Sequence, residues 1–439
     1  MASLPTGSGF TRRTLLGAGV SAAAVGVLAA CSTGGSGGGA GKAGQPLKFW
    51  NMPWGAPTTF PQEDQRITGA YKPKSGFGKV SYRQVQWANF TQTFATAVAG
   101  NSGPAVSSGG GTQAFLFESQ GKIAYADDLL DSWKTNGIYD DFLPGLVDTL
   151  KTKNGYAAVP YNLDMRLYWY RKDLLEQAGA AVPTDWDSFE AACKALKKKG
   201  VYGYGTYSGA GAFTGGHTLV AHMINNGGGL FDGDQNPDCV TDANIQAVDW
   251  VIGLVKNGYS DPRAGTYTSA NAYAQMNANK FGMIWDGAGT PANVSATVAK
   301  NLEVGTPLTG PSGEKGALYF PNNIMMYKNT PSQKASEAFL TYYYQNMKTL
   351  WTKKTGIGLA PLQSIVKAAY GDDPKTTKIV TDWQPISKTW GAPGQNTVFL
   401  NVTKVDGTQP MINFAQSVLS GKVTAKAALT TLQNALKSA

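Results

Sequence analysis

Between Tyr156 and Leu196 the chain reads YAAVPYNLDMRLYWYRKDLLEQAGAAVPTDWDSFEAACKAL, an order of textures that few folds accommodate. An apolar run closes on Val159-Pro160, where a strand is expected to end, because proline has no N–H for a ladder and restricts the residue before it. Tyr161, Asn162, Asp164 and Arg166 then form a polar cluster with an aromatic beside it, read as an exposed elbow. Leu167 to Tyr170 returns to buried character, and Asp173 opens an amphipathic turn that Gly179 stops. After Pro183, Thr184 and Asp187 have capping-box spacing, with Asp in place of Glu or Gln. Trp186, Phe189, Ala192, Cys193 and Leu196 share one helical face, ended by Gly200.

The segments on either side extend this alternation. Leu47 to Trp50 is a strand, with Asn51 to Gly55 as the loop beyond it. Lys79 to Val85 is a second strand, and Phe90, Phe94, Ala97 and Val98 mark a helix face that Gly100 ends. Strand, helix and strand in that order predict a right-handed βαβ unit in an α/β domain. Gly109-Gly110-Gly111 lacks both the Gly-Lys-Ser/Thr ending of a P-loop and the GxGxxG spacing of a dinucleotide site, so a turn or a close backbone approach to a ligand is expected. Lys280 to Trp285 and Glu303 to Leu308 read as strands; Leu318 to Met326 reads as another, interrupted by Pro321-Asn322-Asn323. Asn329, Thr330 and Pro331 start one long helix with a buried stripe from Ala335 to Trp351, and a last helix is capped near Thr424.

At 439 residues the chain has room for two lobes with separate cores. Its start is an address. Thr11-Arg12-Arg13-Thr14-Leu15-Leu16 resembles a twin-arginine signal, and the apolar run to Ala30 is too short and too rich in small residues for a membrane span. Leu28-Ala29-Ala30-Cys31 resembles a lipobox, which implies cleavage before Cys31 and a diacylglycerol on its sulfur. Ser32 to Gln45 is Gly/Ser/Ala-rich and reads as a flexible tether with a reach of roughly 20 Å. The formal charge of +9 falls to +7 once Arg12 and Arg13 leave with the signal. Because the basic residues are scattered and the address is extracytoplasmic, this balance suits anionic headgroups or wall polymers better than nucleic acid. The triplet Lys197-Lys198-Lys199 falls at a helix C-terminus, where cations suit the dipole. Outside the cytoplasm Cys193 and Cys239 are free either to pair or to remain separately buried thiols.

The central stretch resembles the signature of the extracellular solute-binding proteins of ABC importers, in the large family that binds sugars. The matching pieces are Val159 to Asp164, Tyr170 to Leu175, Ala178-Gly179 and Pro183 to Phe189; Glu118 to Leu130, Asn257-Gly258-Tyr259 and Leu359-Ala360-Pro361 fit as well. The chain departs from the family at Ala105, where an Asp is usual, and at Gly289, near which relatives carry an aromatic. The resemblance implies an α/β, two-lobe fold of the class II periplasmic-binding type. The first lobe would hold 46–160 and 322–368, the second 161–321 and 369–439, with hinge crossovers near Pro160, Asn322 and Ala368. It also implies a lipid-anchored, monomeric receptor on the outer face of the membrane that closes on a carbohydrate and delivers it to the permease subunits of an importer. No catalysis, cofactor, metal or nucleic acid is implied.

Sugar binding needs aromatic plates for C–H faces and amide or carboxylate groups for hydroxyls. Trp54, Thr112, Gln113, Tyr161, Asn162, Asp164, Asp286, Asn322 and Asn323 all fall just past expected strands, where α/β sheets bind ligands. Trp54 is expected to stack on a ring; Asn162, Asp164 and Asp286 would bond its hydroxyls; Trp383, Trp390 or Phe399 would offer the opposing plate. Only two histidines, His217 and His222, are present, which disfavours His-based catalysis or a His-rich metal site. Two other classes remain open on the sequence. An exported glycoside hydrolase would use Asp164 and Asp286 as its carboxylate pair. A receptor for glycerol phosphate or another anionic solute would need Arg166 or Arg83 at the elbow.

Overall fold

The computed structural model of the protein describes residues 44–87, 90–328, 330–371, 373–391 and 396–439. The signal, Cys31 and nearly all of the tether lie outside the described residues, as does Asn329 at the expected helix start.

The first sheet grows from a parallel core. Strand β1 (Leu47–Asn51) lies between β2 (Val80–Gln84) and β3 (Val106–Ser108), parallel to both, with α1 (Thr59–Gly69) and α2 (Phe90–Ala99) as the crossovers. Helix α3 (Gln113–Ser119), β4 (Ile123–Ala124), α4 (Asp127–Asn136) and the small hairpin of β5 (Lys151–Thr152) and β6 (Gly155–Tyr156) lead to β7 (Val159–Met165). Contrary to the expectation, Pro160 does not end a strand, and Tyr161 and Asn162 are buried rather than exposed. The reason lies in the partner strand. The register opposite β7 passes from Asn322↔Asn162 to Asn323↔Pro160, so Tyr161 is the extra residue of a β-bulge. A bulge is a place where a sheet tolerates proline, because the ladder is already interrupted there.

The second sheet begins at once. β8 (Leu167–Arg171) pairs antiparallel with β9 (Met283–Asp286) and β10 (Leu302–Val304). The segment from Tyr202 to Gly205 adds isolated parallel bridges to Phe281 and Ile284 on the far side of β9. Helices α5 (Lys172–Ala178), α6 (Trp186–Lys197), α7 (Thr214–Asn225), α8 (Asp242–Lys256), α9 (Ser269–Asn277) and α10 (Ala296–Lys300) belong to this part of the chain. Helix α6 starts one residue later than its sequence suggests: Asp185 caps it, and Ser188 completes the box. An Asp at the cap accepts from the N3 amide, and Ser188 returns a hydroxyl bond, so the stronger acceptor takes the position.

Strand β11 (Ala317–Tyr327) is the spine of the molecule. It pairs with β7, β3 and β4 antiparallel, and with the late β12 (Ser387–Lys388) in parallel. It runs unbroken through Pro321-Asn322-Asn323, which the sequence suggests as an interruption. The aromatic helix that follows is two helices, α11 (Gln333–Asn346) and α12 (Thr349–Thr352), parted at Met347. Leu350 and Trp351 therefore sit on the second, not on the stripe of the first. Helix α13 (Gln363–Tyr370) bonds back to Asp141, whereas Lys375 of α14 (Pro374–Lys378) bonds to Leu302 O. Helices α15 (Gln409–Leu419) and α16 (Ala425–Ser438), the latter capped by Thr424, finish the fold.

Cys193 and Cys239 are both buried and unpaired, which leaves the reading of two separate thiols. Burial pushes the Cys193 thiol well up and that of Cys239 to about 12.

Candidate functional site

The first wall of the site is made by what lies beyond the C-terminal ends of the three parallel strands. After β1 comes Trp54, half-buried, whose Nε1 donates to Ser108 Oγ at 2.9 Å. After β2 comes Trp87, which turns its edge onto Trp54 with ring centroids 4.9 Å apart and keeps 42% of its surface exposed. After β3 comes the Gly109–Gly111 turn, which hands on to Thr112 and Gln113 at the start of α3. A Cβ at Gly109 would meet the Gln113 carboxamide oxygen, so a side chain there would push Gln113 aside. That oxygen is buried and has no hydrogen-bond partner among the described residues.

The floor is the β7–β11 ribbon. Asn322 Nδ2 donates to Asn162 Oδ1 at 3.1 Å, and Asn323 Nδ2 donates to Gly111 O at 2.8 Å, which ties the floor to the glycine turn. Asn162 Nδ2 and Asn323 Oδ1 are buried and unpartnered among the described residues. With Gln113 Oε1 they supply one unused donor and two unused acceptors. Buried polar groups are otherwise almost always paired, so three in one region mark a place where a polar ligand completes the network.

The second wall starts two residues along the same strand. Asp164 Oδ1 accepts from Arg166 Nη1 at 2.7 Å, and Arg166 Nη2 meets His217 Nδ1 at 2.9 Å. Arg166 lies over the Phe320 ring, and His217 stands against Phe320 and, edge-on, against Trp390. Burial, with the guanidinium beside it, lowers the His217 pKa, so the ring is neutral there at pH 7. Asp286 is a supporting group: its carboxylate accepts from Tyr273 at 3.0 Å, from the Tyr207 hydroxyl shared between its two oxygens at 3.3 Å, and from Gly287 N at 2.8 Å. Burial raises its pKa against the pull of Arg166.

A cavity of about 460 Å³ is lined among others by Trp169, Ala288, Gly289, Trp351 and Gly358. Of its lining, Gly358 lies close against Asn162 of the floor. Trp169 and Trp351 turn their N–H groups into Gly287 O and Gly358 O at 3.1 and 2.6 Å, which leaves ring carbon to line the space.

Of the residues expected from sequence, Trp54, Gln113, Asn162, Asp164, Asn322 and Asn323 gather here. Tyr161 lies under Trp54, pointing into the first core rather than into the site. Thr112 is the N-cap residue of α3 without a side-chain cap bond. Trp390 joins through His217. Trp383 and Phe399 do not join: Trp383 is buried with its N–H on Gly305 O at 2.9 Å, and Phe399 packs edge-on against Phe231. Trp87 and His217 are missing from the expected set. The rule that selected Trp54, a position just past a strand end, also applies to Trp87; His217 carries no such signal.

The geometry weakens the two alternative readings. Asp164 and Asp286 flank the same Gly287 on one wall and share Arg166, whereas a hydrolase pair must face each other across the scissile bond. Arg83 lies over the Trp50 ring in a cleft that none of the site residues lines, and Arg166 is paired with Asp164, so neither brings an unpaired guanidinium to the site. Among the described residues no group of three or more His, Cys, Asp or Glu is placed to hold a metal ion.

A comparison with curated proteins gives no match. Among solved structures, a sugar transporter from Arthrobacter chlorophenolicus A6 with bound laminaribiose is 44% identical over 90% of this chain and 99% of its own, with a TM-score of 0.80. A cyclic alpha-maltosyl-1,6-maltose binding protein from Arthrobacter globiformis is 17% identical, covering 90% of this chain and 98% of its own, with a TM-score of 0.70. The sugar-binding protein MalE of Xanthomonas citri is 18% identical over 90% of this chain and 98% of its own, with a TM-score of 0.72. These last two share the two-lobe fold. The family model for bacterial extracellular solute-binding proteins matches residues 66–348. With that match and the 44% relative in hand, the chain belongs to the bacterial extracellular solute-binding proteins, receptors rather than enzymes.

Proposed function

We propose that this protein captures a short oligosaccharide between its two walls and delivers it to the permease of an ABC importer, while held to the outer face of the membrane by a lipid on Cys31. The observation that carries the reading is the right-angled pair Trp54 and Trp87 beside a floor with unused amide atoms. The pair offers apolar plates, and the amides offer both a donor and acceptors to neutral hydroxyls. The relative solved with laminaribiose supports a β-linked glucose disaccharide as the first ligand to try.

In this reading the chain divides into 46–160 with 322–368 and 161–321 with 369–439, and the lobes close about β7, β11 and the connection after Ala368. The receptor acts as a monomer. Titration calorimetry of the mature protein with laminaribiose, maltose and glycerol 3-phosphate tests the ligand class. The reading expects heat with a disaccharide, lost in Trp54→Ala. Heat with glycerol phosphate alone overturns it. Metabolic labelling with a radioactive fatty acid tests the anchor, with Cys31→Ser expected to abolish the label.

A further inference from the structure

Asp64 is a charged residue on α1 with none of its surface exposed. A carboxylate so placed needs partners, and it has two: Asn51 Nδ2 donates to Oδ2 at 2.7 Å and Tyr343 Oη donates to Oδ1 at 2.6 Å. Asn51 is the last residue of β1. Because its amide N–H groups go to Asp64 and, at 3.2 Å, to Tyr161, its carbonyl oxygen must face the other way, where it accepts the Ser108 hydroxyl and the Met52 amide. Ser108 closes β3. With its proton committed to Asn51, its oxygen is left to accept the Trp54 indole N–H at 2.9 Å. The bonds therefore run one way, from Trp54 to Ser108 to Asn51 to Asp64. Every donor points toward the carboxylate, and such chains reinforce one another.

We infer that Asp64 is a positioning residue for ligand capture: through Asn51 and Ser108 it sets the direction of the Trp54 indole, the plate that the proposed sugar reading uses. A group at 64 that is not a full acceptor breaks the sense of the chain. Asn offers one acceptor oxygen and turns its own N–H₂ toward either Asn51 or Tyr343. The groups facing Asp64 from the neighbouring elements are Tyr343 on α11, Tyr161 on β7 and Tyr82 on β2, whose hydroxyl does not close to hydrogen-bond distance. Its neighbour Glu63 turns away to Arg66 and Lys353. No cation reaches Asp64 from these elements, and burial holds its pKa at about 6.

Two readouts test the inference on the full mature protein, one with ligand and one without. Laminaribiose Kd is measured for Asp64→Asn and Ser108→Ala in the wild-type and Trp54→Phe backgrounds. Either variant is expected to weaken binding about tenfold in the wild type and less than about twofold once the indole N–H is gone. Hydrogen exchange of the Trp54 indole N–H, assigned by its loss in Trp54→Phe, is expected to speed up at least about tenfold in both variants, and in the wild type below pH 6 but not in Asp64→Asn. Unchanged exchange in Asp64→Asn overturns the positioning role whatever the affinities. Equal loss of affinity in both backgrounds overturns it as well. Faster exchange with no laminaribiose binding in any protein leaves the chain standing and removes the sugar reading. If Asp64→Asn fails to fold, the wild-type pH arm carries the test: indole exchange that does not quicken below pH 6 overturns the role of Asp64.

Discussion

Arg166 and Asp164, two apart where β7 gives way to β8, form an ion pair in which only the cation is buried: the guanidinium side chain is 8% exposed and the carboxylate side chain 40%. The pair is therefore asymmetric, and its two halves should respond differently to mutation. Arg166→Met removes the buried charge itself and leaves Asp164 partly in solvent and Asp286 on its tyrosine donors, so it should destabilise the fold by only about 1–2 kcal/mol. Asp164→Asn leaves the buried guanidinium, which cannot shed its proton, without its nearest anion, and should destabilise the fold by about 3 kcal/mol while ligand affinity falls. Thermal denaturation and calorimetry separate the two effects.

The aromatic pair divides the same way. Trp87 is largely in solvent, so Trp87→Ala should change stability by less than about 1 kcal/mol. It also removes the edge that holds Trp54, so laminaribiose binding should weaken by about three- to tenfold. An unchanged Kd would show that Trp87 only shields its neighbour.

Glu63 and Asp64 are adjacent and titrate in opposite senses. The Arg66 hydrogen bond, opposed by burial and helped by Lys353, lowers Glu63 to about 2. Its stabilisation is present above its ordinary value near 4.5 and is lost as pH falls toward 2. Because Arg66 and Lys353 stand half in solvent, it should be worth about 1–2 kcal/mol. Asp64 is raised by burial to about 6, so its neutral form favours the fold. That contribution is complete below about pH 4 and fades as pH rises through 6, by roughly 3 kcal/mol in total. Urea melts from pH 2 to 8 should show Glu63→Gln flattening the acid side and Asp64→Asn flattening the span between about 4 and 6.

The thiols give a prediction about redox. Cys193 and Cys239 should resist Ellman's reagent in the native protein and react only after unfolding, since burial keeps both protonated. A reductant should leave Tm unchanged. A reductant-sensitive melt would mean the two cysteines pair.

Periodicity located α2, α6, α16 and the parallel start of the fold, because β1, β2 and α2 each show one apolar face bounded by glycine or a polar turn. It failed where tertiary pairing overrides local chemistry. Pro160 and Pro321 each read as strand breakers, yet both lie in the β7–β11 ribbon, one beside the Tyr161 bulge. The bulge depends on two segments about 160 positions apart, and nothing near Tyr161 announces it. In the site, position past a strand end found Trp54 and the floor asparagines, since the rule follows from sheet topology. It placed Asp286 in the site as well, without showing that two tyrosines already occupy its oxygens. His217 escaped notice because its role comes from Arg166, a neighbour in space alone.

The spine strand also sets a timetable. β3 is synthesised early, but its antiparallel neighbour is residues 324–326 of β11, more than 200 positions later. At about 5–20 residues per second a ribosome needs roughly 10–40 s to deliver that neighbour. Through that interval one edge of β3 stays unpaired, and the nascent chain carries an incomplete sheet that is open to wrong strands. The first half of this protein therefore cannot complete its sheet during its own synthesis; β3 gains its second neighbour only once residue 326 has been made.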